Sequence, residues 1–193
     1  SALAAMRERV EHAERFYRDL NDFYEFRRDV GALYASLDGR PALEALERVD
    51  KVKGPRGHEA IGQQVAPKGG PVKTAVELFE AAAMALPAFE VVLRRAAKAS
   101  GAKEAVAPLK AVARATEKAR FDYGDRPHPI SWVSDIVRGQ ITCDTAQQAV
   151  AAYGALRDAE GVGVVKMTNR FARPTPAGFR DLNIKIRLDP ATA

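Results

Sequence analysis

Cations gather at three places in the second half of the chain, each with a spacing that aligns them. Lys110, Arg114 and Lys118 recur every fourth residue, which lines them along one face of a helix. Such a stripe is either a solvated surface or an edge for binding phosphate. Ala111, Val112, Ala115 and Ala119 fall on the other side and read as the core-facing set. Next comes Ser134-Asp135-Ile136-Val137-Arg138-Gly139-Gln140-Ile141. A carboxylate at the mouth of a strand, just after a basic helix, suits a magnesium ligand facing phosphate charge. Magnesium takes one or two carboxylates and completes its octahedron with phosphate oxygens and water. Asp135 equally suits the cap of a turn. Strict alternation groups it with Val137, Gly139, Ile141 and Cys143, unless the strand begins after it.

The third place runs from Lys166 through Arg170 and Arg173 into a loop stiffened by Pro174 and Pro176, then Gly178 and Phe179. Phe179 shares parity with Asp181 and Asn183. It reads either as ordinary packing under the loop or as an exposed ring beside cations. The second arrangement is what base stacking with phosphate neutralisation requires.

The elements that must position these groups are legible from periodicity. Three β-type segments are expected, at Ile136–Cys143, Val162–Thr168 and Arg180–Leu188, with a helix from Thr145 to Arg157 after the first. In the last, Leu182, Ile184, Ile186 and Leu188 alternate with Asp181, Asn183, Lys185 and Arg187, the pattern of a half-buried strand with one polar face. A helix beginning near Lys103 or Pro108 is expected to run to Phe121. Earlier, residues 72–99 read as a helix broken or kinked at Pro87, burying Val76, Phe79, Ala83, Leu86, Val91 and Leu93. Residues 2–37 carry an amphipathic pattern with an aromatic stripe, read as core packing. A Gly/Pro-rich stretch at 50–71 reads as a connecting loop, without the spacing of a P-loop. The expected class is α+β: a helical N-terminal half over 1–99, then a small mixed β-sheet over 100–193 with helices packed on one face.

Composition bounds the chemistry. The chain has 193 residues and a net charge of +5, which suits anionic ligands. Its single cysteine excludes an internal disulfide framework, and its three histidines lie too far apart for zinc-ligand spacing. No apolar run is long enough to span a bilayer, so no membrane role is expected.

Taken in order, the motifs from about Arg114 to Leu188 resemble the RelA/SpoT family of nucleotide pyrophosphokinase (alarmone synthetase) domains. That family has a helix with spaced basic residues and a strand opening D-[IL]-x-G-x-R. A K-D-Y/R-F turn follows, then P-x-x-x-G-Y leading into S-L-H. Lys110 and Lys118 match the helix pair in spacing, and Asp135-Ile136 matches the start of the metal motif. Lys166 with Arg170-Phe171 matches the turn, and Pro174, Gly178, Phe179 and Leu182 match the acceptor loop. Arg138 and Gln140 stand where the family has Gly and Arg, and Asp181 and Asn183 stand where serine and histidine are usual. These departures resemble the toxin-type branch.

The resemblance implies a synthetase-like nucleotidyltransferase fold and transfer of pyrophosphate from ATP to the 3′-hydroxyl of an acceptor nucleotide, of (p)ppGpp or (p)ppApp type. The alternatives are transfer to an RNA or tRNA 3′ end, or an inactive relative that binds nucleotide or RNA. By the same resemblance Asp135 is catalytic and holds Mg2+. Lys110, Arg114, Lys118, Lys166, Arg170 and Arg173 hold ATP phosphates, and Phe179, Asp181 and Asn183 hold the acceptor. The branch implies action in the cytoplasm, including that of a target cell after delivery, and an immunity or antitoxin protein as partner. The family's second carboxylate lies in an E-x-Q-x-R strand with no counterpart before Ala193. The core therefore reads as lacking its last strand, and these residues alone as weak or inactive.

Overall fold

The computed structural model describes residues 44–49, 62–176 and 178–189. The expected helix over 2–37 and most of the 50–71 loop lie outside the described residues. Within them the chain mixes helices with two small antiparallel strand pairs, an α+β arrangement. No helix among the described residues is long and apolar enough to cross a membrane.

Helix α1 (Ala75–Ser100) starts where its sequence supplies a capping box. Thr74 Oγ1 accepts from the Glu77 amide at 3.2 Å, and the Glu77 carboxylate accepts from the Thr74 amide at 3.2 Å. It ends at Gly101, whose φ of 67° is the left-handed cap that glycine adopts without a Cβ penalty. Of the break or kink expected at Pro87, the break does not occur: the helix runs through the proline. Proline removes one helical hydrogen bond; burial of Leu78, Ala82, Leu93, Ala96 and Ala97 on both sides of it holds the helix together. The buried stripe is also rotated from the expected one. Val76 is 67% exposed and Val91 41%, while Leu78 and Ala82 face the core.

Of the two helix starts expected, Lys103 is excluded, because residues Lys103–Ala107 form strand β1. Pro108 disfavours helix in the residues before it, and helix α2 spans Val112–Tyr123. A 3-10 turn at Pro129–Trp132 precedes strand β2 (Arg138–Thr142). Strand β2 pairs antiparallel with β1, from Lys103 opposite Thr142 to Ala107 opposite Arg138. The pair lies close on α1: a Cβ on Gly139 would sit 2.6 Å from Leu93 Cδ2 and 3.0 Å from Phe89 Cε1. Helix α3 (Ala146–Arg157) opens on a second capping box, Thr145 with Gln148. Gln148 also reaches back, donating from Nε2 to the Gly101 carbonyl at 3.0 Å.

Strands β3 (Val162–Asn169) and β4 (Leu182–Leu188) form the other antiparallel pair, with an irregularity between Val164 and Lys166. The single mixed sheet expected from the sequence is thus replaced, among the described residues, by two separate ladders. The unanticipated β1 takes up an edge of β2. The main core joins Val72, Leu78 and Ala82 to Ala115, Ala119, Tyr123, Val133 and Ile136, so α1 and α2 share it with the segment leading into β2. A smaller cluster sets Leu46 and Ala146 against Ala149, Val150, Phe171 and Leu182.

Candidate phosphate-binding site

The site is built where the start of α2 meets the segment before β2. The Lys110 amide donates to the Ile136 carbonyl at 3.1 Å, which hooks the helix entry onto that segment. Val133 and Ile136 are buried on either side of Ser134 and Asp135, so those two side chains are held by a fixed backbone. Strand β2 begins only at Arg138. Asp135 is therefore outside the alternation that would have grouped it with Val137 and Ile141.

Lys110 lies just before the first residue of α2 and Lys118 within it, and both reach the same oxygen. Lys110 Nζ donates to Asp135 Oδ2 at 2.8 Å and Lys118 Nζ at 3.1 Å. The other oxygen, Oδ1, is buried and has no hydrogen-bond partner among the described residues. Asp135 therefore does not cap a turn here; its recorded partners are lysines. Burial opposes ionisation of its carboxyl, but the hydrogen bonds and charges of Lys110 and Lys118 outweigh that and hold it below the usual carboxylate range.

A further lysine comes from β4. Lys185 Nζ donates to Ser134 Oγ at 2.7 Å. Burial lowers the pKa of this ammonium, the positive charges of Lys118 and Lys166 add to the effect, and Asp135 opposes it. Lys166 is the cross-strand partner of Lys185 on β3, and directly paired side chains project from the same face of a ladder. Thr168 and Asn183 form the next same-facing pair along that ladder. The polar face expected of the last strand is thus the face carrying Lys185, and Leu182 on the other side enters the smaller core.

On the outer side of α2 lies an open cavity of about 510 Å³ lined by Lys110, Ala111, Arg114, Glu117, Lys118, Phe121, Asp122 and Arg138. Arg114 pairs with Glu117 at 3.2 Å on the surface. Phe121 is 73% exposed at the rim.

The expected site residues divide into two groups. Asp135, Lys110 and Lys118 meet in direct contact, Arg114 lines the same cavity, and Lys166 lies across the ladder from Lys185. Arg170, Arg173, Phe179 and Asp181 belong to the connection between β3 and β4. There Arg170 Nη1 donates to both Asp181 oxygens, at 2.8 and 2.9 Å. Arg170 is thus an ion-pair partner of the residue assigned to the acceptor. Arg173 is exposed. Phe179 is 48% exposed, and its amide donates to Thr175 Oγ1 at 3.0 Å, closing the loop with Gly178 at a φ of 81°. Arg170, Asp181 and the Phe179 amide thus find these partners within the loop itself.

The sequence reading assigned no site role to Lys185, Ser134, Phe121 or Arg138. Lys185 carried a usable signal, its shared parity with Asn183 and Asp181, but nothing in its spacing indicated that it would reach Ser134. No group of three or more His, Cys, Asp or Glu side chains that could hold a metal ion occurs among the described residues. Asp135 Oδ1 is the one carboxylate oxygen of the cluster with no donor. As placed it is closed to solvent, so to meet an ion carried by phosphates the Asp135 side chain would have to turn.

Comparisons with protein-family models, with characterised proteins and with solved structures found no match to this chain.

Proposed function

We propose that this protein binds a nucleoside triphosphate at the Asp135 cluster and transfers its β,γ-pyrophosphate to the 3′-hydroxyl of an acceptor nucleotide. The observation that carries the proposal is the convergence of Lys110 and Lys118 on one Asp135 oxygen, with the other oxygen unpartnered. Two ammonium groups held on one carboxylate beside a basic cavity can turn donors to a phosphate when the ligand enters. Charge-assisted contacts of lysine to phosphate are among the stronger polar contacts a protein makes. The motif order that resembles RelA/SpoT synthetases supports the same chemistry, and on this proposal the fold is a variant of theirs.

In the reaction the acceptor 3′-oxygen forms a bond to the β-phosphorus, and the bond from that phosphorus to the α,β-bridging oxygen breaks. AMP leaves with the electron pair, and the hydroxyl proton passes to solvent. The protein supplies position and charge neutralisation rather than a covalent intermediate. Lys110 and Lys118 orient the donor phosphates. Magnesium carried by the nucleotide would neutralise charge on the transferred group, with Asp135 as its protein ligand.

One observation favours a second reading, an inactive nucleotide- or RNA-binding relative: Asp135 is the only carboxylate among the recorded contacts of this cluster. Incubating the protein with ATP, magnesium and, separately, a guanosine nucleotide, an adenosine nucleotide and tRNA, then resolving the products, decides between them. The enzyme reading expects AMP together with an acceptor carrying two additional phosphates. Nucleotide binding without AMP release for every acceptor would leave the binding relative.

A further inference from the structure

Lys185 sits where an amphipathic strand should place a solvated residue. Its partners in alternation, Asn183 and Arg187, are exposed, yet Lys185 is half-buried and turned toward the segment before β2. One of its donors is used, on the Ser134 hydroxyl, which is neutral and offsets no charge. The Lys166 ammonium has no recorded hydrogen bond or ion pair among the described residues. Lys110 and Lys118 meet on Asp135, Lys185 is held beside it on Ser134, and Lys166 pairs across the ladder with Lys185, so four ammonium groups gather near one carboxylate. The cluster thus carries a large excess of positive charge in a partly desolvated place, an arrangement that disfavours the empty state and favours a polyanion.

We propose that Lys185 and Lys166 form a second anion subsite, across Asp135 from the cavity on α2, that takes a neighbouring phosphate of the same polyphosphate chain. This rests on the reading of the Asp135 cluster as a phosphate site and adds which end of the chain β3 and β4 hold. Two subsites on separate elements make the site measure chain length. A single phosphate engages only Lys110 and Lys118, while a triphosphate spans both sets. Burial disfavours the charge on the empty Lys185, and a bound phosphate would relieve that cost, so the contact couples Lys185 to ligands long enough to reach it.

The test uses the whole chain and inorganic probes, orthophosphate and tripolyphosphate, by calorimetry at low salt with no turnover required. The wild type is expected to bind tripolyphosphate at least about tenfold more tightly than orthophosphate. Lys185→Met should lower tripolyphosphate affinity by about tenfold and leave orthophosphate affinity within a factor of about two. Lys166→Met should do the same in the same direction. Lys185→Arg, which keeps the charge, should retain most of the preference and guards against loss of folding in the methionine variant. Lys98→Met, at the exposed end of α1, is the control for general loss of charge. If the wild type prefers tripolyphosphate and Lys185→Met keeps that preference, or weakens it no more than Lys98→Met, the subsite is wrong while the proposed function stands. If the wild type binds neither probe, both fall.

Discussion

Lys185 donates to the Ser134 hydroxyl at 2.7 Å, joining the middle of the last strand to the residue beside Asp135. The two lie fifty-one residues apart in sequence. The contact brings the polar face of the β3–β4 pair to the segment that also receives Lys110 and Lys118. A site at helix α2 alone would draw its cations from one stretch of chain; through Ser134 the last strand adds a third lysine next to Asp135.

Asp135→Asn should abolish pyrophosphate transfer, since an amide is a far poorer ligand for a hard divalent cation and cannot neutralise two lysines. It should also cost stability, by about 1–3 kcal/mol, because two partly buried ammonium groups lose their charged acceptor. Denaturant midpoints and product assays on the one variant measure both. Transfer undiminished in Asp135→Asn would mean that the metal ligand, and with it the mechanism, has been misassigned.

The same ion pairs give the fold an acid sensitivity with a definite sign. The Asp135 carboxyl is held below its ordinary pKa in the folded state. Its stabilisation is therefore fully present above the unfolded value, about 3.9, and is lost as pH falls from there through the folded value. Urea midpoints of wild type and Asp135→Asn should differ at pH 7 and converge below about pH 4. A gap that closed instead between neutral and mildly acidic pH would point to a different titrating group.

Lys118→Met and Arg114→Met separate buried from exposed cations on one helix. Lys118 is half-buried and shares Asp135, so its loss should weaken ATP binding by about 1.5–3 kcal/mol. Arg114 has a side chain 77% exposed and paired with Glu117 on the surface, so its loss should cost less than about 1 kcal/mol. Calorimetric titration of ATP into each variant checks the order. Equal effects would mean that the stripe binds as a uniform surface rather than through the Asp135 cluster.

Lys185→Met should leave the unliganded protein at least as stable as the wild type. Methionine fills a similar length without a desolvated charge among like charges, and replacing buried ionic groups with apolar ones is often neutral or stabilising. Thermal melts in the absence of phosphate make the comparison. A clear fall in melting temperature would show that the Ser134 contact holds the fold together rather than poising a cation for a ligand.

Gly139→Ala tests packing away from the chemistry. The added methyl would meet Leu93 Cδ2 at 2.6 Å and the Ala105 carbonyl at 3.1 Å, so α1 and the β1–β2 pair must separate. Overpacking of this kind costs about 1–3 kcal/mol. Calorimetric melting should register that loss while ATP affinity stays near the wild-type value.

Local chemistry in the sequence determined much of this protein. Thr145 with Gln148 marks the start of α3 because a capping box satisfies amides within one turn. The alternation of Leu182, Ile184 and Ile186 with Asn183 and Lys185 declares β4, because a strand with one buried face has a period of two. The spacing of Lys110, Arg114 and Lys118 predicts one helical face, and it holds for Arg114 and Lys118, whereas Lys110 lies before the helix begins. What the helix spacing left open was which of the three would meet a partner: Lys110 and Lys118 meet Asp135, and Arg114 turns to Glu117. Only the tertiary structure decided that, because the partner arrives from another segment. It also decided that residues 103–107 pair with β2 rather than extend α2, since a ladder partner distant in sequence outweighs a weak local preference. The place of Lys185 is of the same kind. Parity assigns a side chain to a face of its strand, but what that face meets depends on how the β3–β4 pair packs against Ser134.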